Sequence, residues 1–192
     1  MLNENVKRNY EEWIEKVDDE DLKKELESVS DDEDAINERF YCELEFGTGG
    51  LRGKLRAGTN GMNVCTVSRA AAGLAEYLKE TVKGEKSVAV AYDSRNKSRE
   101  FAFLSAAVFS SAGIKTYVFD ELVPTPVLSF AVRYLKISAG VVVTASHNPK
   151  EYNGYKVYNA KGCQITEEAA LAITEKIENA SYFGKYRSNN TL

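Results

Sequence analysis

Residues 140–158 read GVVVTASHNPKEYNGYKVY, and this stretch decides the fold. Its first residues, 140–144, are apolar and β-branched, which predicts a buried strand. The chain then becomes polar, and Pro149 disfavours helical backbone at Asn148, so a loop is expected there. Ser146 is therefore predicted to lie on a loop just past the carboxyl end of a strand, where open α/β sheets bind ligands.

Upstream of this stretch, strands and helices are predicted to alternate. Apolar runs at 88–93 and 115–119 are typical of strands buried on both faces. Helices are expected over 64–82 and from Phe101 to Gly113. A third should begin at Thr125 as the cap, with Pro126 at its first position. Its predicted inner face is Val127, Phe130, Ala131 and Tyr134.

This order predicts right-handed parallel crossovers. Downstream, residues 153–158 are expected to form a short strand or turn, and a last helix to run from 166 to 179. The predicted fold is α/β, a three-layer α/β/α domain with a mixed, largely parallel sheet. Asp93, Asp120 and Ser146 follow the three parallel strands, so their side chains should collect at one edge of the sheet.

Residues 1–44 are charged and helix-prone, and we interpret them as a helical arm that packs against a main domain over 45–192. Within this arm, Ser30 and Glu33 fit a capping box for a helix running toward Leu44. Residues 181–192 are predicted to be a frayed tail or the start of a linker.

The composition excludes several classes of protein. The net charge of −4 and pI of about 5.3 disfavour nucleic acid as the main partner. No apolar run is long enough for a membrane span, and the N-terminus lacks the apolar core of a signal peptide. The three cysteines show no metal-ligand spacing, so reduced thiols in a cytoplasmic protein are expected.

Residues 46–63 contain six glycines in eighteen residues. The segment lacks the spacing of a Walker loop, because Leu55 follows Lys54. On composition alone, an irregular hairpin is favoured over a phosphate-binding loop.

Ser146 has the residue type of a nucleophile, but a serine hydroxyl needs activation. The G-x-S-x-G elbow of serine hydrolases is absent. His147, the only histidine, adjoins the serine, and neighbouring side chains on extended backbone tend to point apart. A Ser–His–acid triad is therefore disfavoured, and a small hydrolase is kept as an alternative.

The string T-A-S-H-N-P at 144–149, followed by Tyr152, Asn153, Gly154 and Lys156, closely resembles the phosphoserine loop of the α-D-phosphohexomutase superfamily of phosphoglucomutases and phosphomannomutases. The F-G-T-x-G-x-R-G signature of the same superfamily begins at Phe46 and contains Arg52. The continuation through Met62 and Asn63 is most similar to the phosphoglucomutase and phosphopentomutase branch, although that branch usually has Arg where this chain has Gly61.

The resemblance implies a role for each matching residue. Ser146 would carry a phosphoryl group, Lys156 would be the general acid/base, and Arg52 would stabilise the transferring phosphate. Substrate or phosphate would also contact Thr144, His147, Asn148 and Arg95. For Arg95, a helix-entry turn with a local ion pair to Asp93 is an equally good interpretation.

The resemblance also implies cofactors and partners. Mg²⁺ would bind the phosphate on Ser146, and a sugar 1,6-bisphosphate would act as activator. The partners would be a phosphosugar and the remaining domains of the enzyme, without nucleic acid or membrane.

The resemblance covers residues 44–180 and matches only the first domain of the family. The family's later metal, sugar-reading and phosphate-docking motifs do not occur in this sequence. We therefore expect an N-terminal domain I that cannot turn over substrate by itself. Phosphomannomutase, phosphopentomutase and a non-catalytic phosphoacceptor or interaction module remain as alternatives.

Overall fold

The computed structural model describes residues 2–186, which form seven helices and five strands. The helices are α1 (Glu4–Lys16), α2 (Glu20–Ser28), α3 (Glu33–Phe40), α4 (Val64–Thr81), α5 (Ser98–Ser111), α6 (Thr125–Tyr134) and α7 (Glu167–Glu178). The strands are β1 (Leu51–Lys54), β2 (Ser87–Tyr92), β3 (Lys115–Val118), β4 (Ala139–Val143) and β5 (Tyr152–Asn159). Across this part of the chain, no helix has both the length and the apolar character that crossing a membrane requires.

The strands form one mixed sheet in the order β1-β5-β4-β2-β3. Strand β2 pairs in parallel with both β3 and β4, with Val90 opposite Val118 on one side and Val141 on the other. Strand β5 then returns antiparallel to β4, and β1 pairs antiparallel with β5. The α/β class, the mixed sheet and the strand–helix alternation are thus confirmed.

The two faces of the sheet are covered unequally. Helices α4, α5 and α7 pack on one face and bury the largest core, which includes Leu74, Phe101 and Ile173. The other face is covered by α6, which packs over β2 and β4. The part of that face formed by β5 and β1 lines a cleft, and the predicted site residues lie there.

Helix α6 buries a different face from the one predicted. Leu128 and Val132 are fully buried against the sheet, whereas Phe130 and Tyr134 are 57% and 72% exposed. Two apolar stripes with helical spacing run along this helix, and periodicity alone cannot choose between them. The predicted cap at Thr125 is also wrong, because the N-cap residue is Pro124.

Three helices span the predicted arm, and their apolar side chains gather around Trp13. This cluster includes Ala57 from the main domain, and Tyr182 and Phe183 pack against it. Tyr182 and Phe183 therefore pack against the arm, and Tyr186 packs against the main core, instead of fraying, while residues 187–192 of the predicted tail lie outside the described part. The capping-box prediction is wrong, because Asp32 caps α3 by accepting a 2.9 Å hydrogen bond from the Ala35 amide.

Candidate functional site

Ser146 lies on the loop that directly follows β4, as the sequence predicts. Its backbone has φ +56°, in the left-handed region that non-glycine residues seldom adopt. The Ser146 amide donates a 3.0 Å hydrogen bond to Oγ1 of Thr144. The side chain is exposed, so the hydroxyl is accessible from the cleft.

Lys156 reaches the serine from the neighbouring antiparallel strand. It lies on β5 opposite Val142 of β4, and its Nζ donates a 2.8 Å hydrogen bond to Oγ of Ser146. Two adjacent, hydrogen-bonded strands thus place an amine directly beside the hydroxyl. This is the distance at which a general acid/base can exchange a proton with its partner.

Arg52 lies on β1, opposite Gly154 of β5, and its exposed side chain lines the cleft. The glycine two residues before it lets the chain entering β1 approach β5 closely. Gly50 has φ +78°, and a β-carbon there would lie 1.8 Å from the Tyr155 carbonyl oxygen. Glycine is therefore required at this position, which gives part of the glycine-rich segment a physical reason.

These side chains line an open cleft of about 650 Å³. Every predicted site residue except Arg95 lines it: Arg52, Thr144, Ser146, His147, Asn148 and Lys156. Within residues 2–186, no carboxylate lies within ion-pair distance of Arg52 or Lys156. Two basic side chains, Arg52 and Lys156, beside an exposed hydroxyl form a site suited to a phosphate group.

Arg95 lies behind the loop. Its guanidinium donates to the carbonyl oxygens of Ser146 at 2.7 Å and Pro149 at 3.0 Å. The ion pair to Asp93 that the sequence offered as the other interpretation is also present, at 3.7 Å. A direct contact from Arg95 to phosphate therefore stays a prediction.

Sequence reasoning missed part of the cleft wall. The segment after α3 and the loop after β5 contribute Tyr41, Glu43, Glu45 and Gln164. Glu43 accepts a 2.7 Å hydrogen bond from the buried guanidinium of Arg69, which also donates to the Ala180 carbonyl oxygen at 2.8 Å. No local motif marks these residues, because tertiary packing brings them to the cleft.

Two alternative bases for Ser146 are disfavoured by their placement. Tyr155, next to Lys156, is fully buried in the core on the other face of the sheet, and burial raises the pKa of its phenol. It therefore stays neutral and away from the cleft. Within residues 2–186, no hydrogen bond joins His147 to Ser146 or to a carboxylate, so the geometry of a hydrolase triad is absent from this part of the chain.

Magnesium binding stays a prediction, because the resemblance places Mg²⁺ on the phosphate of Ser146 with its other ligands outside this chain. Across residues 2–186, no group of three or more His, Cys, Asp or Glu side chains is placed to hold a metal ion. The loop exposes Oγ of Ser146 to the cleft, and this single oxygen cannot supply the near-octahedral oxygen ligation that Mg²⁺ requires.

The sequence matches the model of the phosphoglucomutase/phosphomannomutase α/β/α domain I over residues 43–183. A phosphoglucomutase from Staphylococcus haemolyticus is 47% identical over 140 residues, which are 73% of this chain and 25% of that protein. A Schizosaccharomyces pombe protein assigned as a phosphoribomutase is 45% identical over 172 residues, which are 88% of this chain and 29% of that protein.

Solved structures agree with these matches. The crystal structure of a Thermus thermophilus protein assigned as a phosphomannomutase has a TM-score of 0.67 and 35% identity, covering 73% of this chain and 31% of that one. The chain thus spans between a quarter and a third of the length of these relatives.

Proposed function

Because the chain belongs to the phosphoglucomutase/phosphomannomutase family, as its domain I, we propose that it carries the phosphoryl group in a sugar-phosphate mutase reaction. The acceptor is the hydroxyl of Ser146. The observation that carries the proposal is the 2.8 Å hydrogen bond between Lys156 Nζ and Ser146 Oγ, in a cleft that Arg52 also lines.

The proposed step transfers a phosphoryl group from a sugar bisphosphate to the serine. Oγ of Ser146 forms a bond to phosphorus, the bond between phosphorus and the sugar oxygen breaks, and the sugar oxygen takes a proton from water as the sugar monophosphate leaves. Lys156, in its neutral form, accepts the hydroxyl proton as the new bond forms, and it returns that proton when the serine gives the phosphate back. Arg52 stabilises the charge on the phosphoryl oxygens through its forked N–H donors.

We propose that the rest of the reaction uses residues outside this chain. Phosphoserine adds about −1.5 to −2 charge at neutral pH, which suits Mg²⁺ with further ligands from the remaining domains. Those domains would also recognise the sugar, and a sugar 1,6-bisphosphate would serve as activator. We propose that the complete reaction interconverts a sugar 1-phosphate with its 6-phosphate or 5-phosphate in the cytoplasm. This chain alone is proposed not to turn over substrate.

Phosphomannomutase and phosphopentomutase are the alternatives on the substrate side. A non-catalytic phosphoacceptor or interaction module would accept phosphate or bind the other domains without passing phosphate on. A serine hydrolase is the weakest alternative, because His147 makes no hydrogen bond to Ser146 in the described residues.

Intact-mass spectrometry with glucose 1,6-bisphosphate tests the proposal. We expect the purified chain to gain one phosphoryl group, because the hydroxyl, Lys156 and Arg52 are all in place. Ser146→Ala should gain none, since the acceptor oxygen is removed.

Ser110→Ala is the matched control, because Ser110 is an exposed serine on α5 that does not line the cleft. This variant should gain the group like the wild type. An equal gain in Ser146→Ala would refute the proposed acceptor.

A further inference from the structure

The guanidinium of Arg95 donates to the main chain at several points of the Ser146 loop. Nη2 donates to the carbonyl oxygens of Ser146 and Asn148, at 2.7 and 2.5 Å. Nη1 donates to those of Pro149 and Tyr152, at 3.0 and 3.3 Å. One planar side chain therefore ties together both ends of the segment from Ser146 to Tyr152.

The guanidinium is itself held by a buried network. Nε lies 3.7 Å from Oδ2 of Asp93, at the end of β2. Oδ1 of Asp93 accepts hydrogen bonds from the Arg95 amide at 3.0 Å and from Oγ of Ser98 at 2.7 Å. Ser98 in turn accepts a 3.0 Å bond from Asn153, whose Oδ1 accepts from the Gly154 amide. Ser98 and Asn153 are completely buried, so Arg95 is fixed to β2, α5 and β5.

The loop needs such support because Ser146 has φ +56°. A left-handed backbone conformation is unfavourable for a non-glycine residue, because its Cβ crowds the following carbonyl oxygen. Such a conformation persists only when the surrounding structure fixes it. The loop's internal bonds are few, such as the 3.1 Å bond from the Asn148 amide to the Ala145 carbonyl oxygen.

We propose that Arg95 is a positioning residue, which fixes the backbone of residues 146–152 so that Ser146 Oγ stays within hydrogen-bond distance of Lys156 Nζ. The catalytic part of this inference rests on the proposed function, because it takes Ser146 as the phosphoryl acceptor. Arg95 does not line the cleft, and its side chain is 16% exposed. Lysine cannot replace it, because a single ammonium lacks the rigid fork of donors that the separated carbonyl groups require.

Amide hydrogen exchange of the 192-residue chain tests the positioning without any mutase chemistry. In Arg95→Lys we expect the amides of residues 144–152 to exchange at least about ten times faster than in wild type, as local opening becomes easier. Peptides from α4 and α7 should keep their protection, which shows that the chain is folded. Arg95→Gln, which removes the charge and most donors, should give a larger effect confined to the same segment.

Arg99→Lys is the matched control. Arg99 lies four residues further along, and its guanidinium lies 4.4 Å from the centroid of the Phe103 ring. Amide exchange of residues 144–152 in Arg99→Lys should equal that of the wild type. Wild-type protection of residues 144–152 in both Arg95 variants would overturn the proposal.

Phosphorylation kinetics separate positioning from a direct phosphate contact. With glucose 1,6-bisphosphate as donor, Arg95→Lys should lower the maximal rate of phosphoryl gain by about ten-fold or more, because small misplacements of a reacting atom slow chemistry strongly. The half-saturating donor concentration should stay unchanged. A raised half-saturating concentration with normal loop protection would overturn the proposal in favour of phosphate binding. Should wild type gain no phosphoryl group, the proposed function fails, and hydrogen exchange alone decides the positioning role.

Discussion

Lys156→Met is expected to slow phosphoryl gain by Ser146 by about 10²–10⁴-fold, the usual contribution of a positioned general acid/base. Methionine keeps an unbranched side chain on β5 but removes the amine that lies 2.8 Å from the serine hydroxyl. The measurement is the initial rate of phosphorylation from glucose 1,6-bisphosphate, followed by intact mass. Hydrogen exchange of the sheet should stay like that of the wild type, since no described ion pair depends on this lysine.

Lys150→Met is the matched control for this prediction. Lys150 lies in the segment between Ser146 and β5, is exposed and does not line the cleft. Lys150→Met therefore removes a lysine amine from the same stretch of chain but outside the cleft. If both variants slowed the reaction equally, general electrostatic attraction would explain the effect, and the acid/base role of Lys156 would be wrong.

Trp13→Ala is expected to lower the free energy of unfolding by about 3–5 kcal/mol, the usual cost of removing a fully buried tryptophan. The Trp13 side chain is 2% exposed. The centroid of its ring lies 5.8 Å from that of Phe40, 5.3 Å from that of Tyr182 and 5.5 Å from that of Phe183. The substitution thus loosens both the arm and the segment after α7. Urea denaturation followed by circular dichroism measures the change.

Leu171→Ala serves as the control for this stability prediction. Leu171 is an apolar residue on α7 that is 66% exposed, so its truncation should change stability by no more than about 0.5 kcal/mol. A comparable, small loss in Trp13→Ala would mean that the arm contributes little to the folded domain.

The sequence predicts β2, β3, β4 and the serine loop well, because their signals are local, whereas it does not predict strand β1 in the glycine-rich segment. Val141–Val143 form an unbroken apolar run, and the polar turn follows at once. The parallel order of β2, β3 and β4 follows from the alternation with helices. Ser146 therefore falls at the expected edge of the sheet.

The errors arise where tertiary packing decides between local options. Both apolar stripes of α6 have helical spacing, and the position of the sheet selects Leu128 and Val132. Arg95 and Ser146 are 51 residues apart in sequence, so no local pattern predicts that one supports the other. The cleft wall at Glu43 likewise depends on Arg69, which donates to it from helix α4.

The most direct test of the central claim is the stoichiometry of glucose monophosphate released when the chain is mixed with excess glucose 1,6-bisphosphate. If Ser146 accepts the phosphoryl group and the domain cannot turn over substrate, each chain should release one equivalent of glucose monophosphate. The release should accompany phosphorylation of the protein and then stop. No release would contradict the claim that this site accepts phosphate. Continued release beyond one equivalent would show turnover or hydrolysis and contradict the account equally.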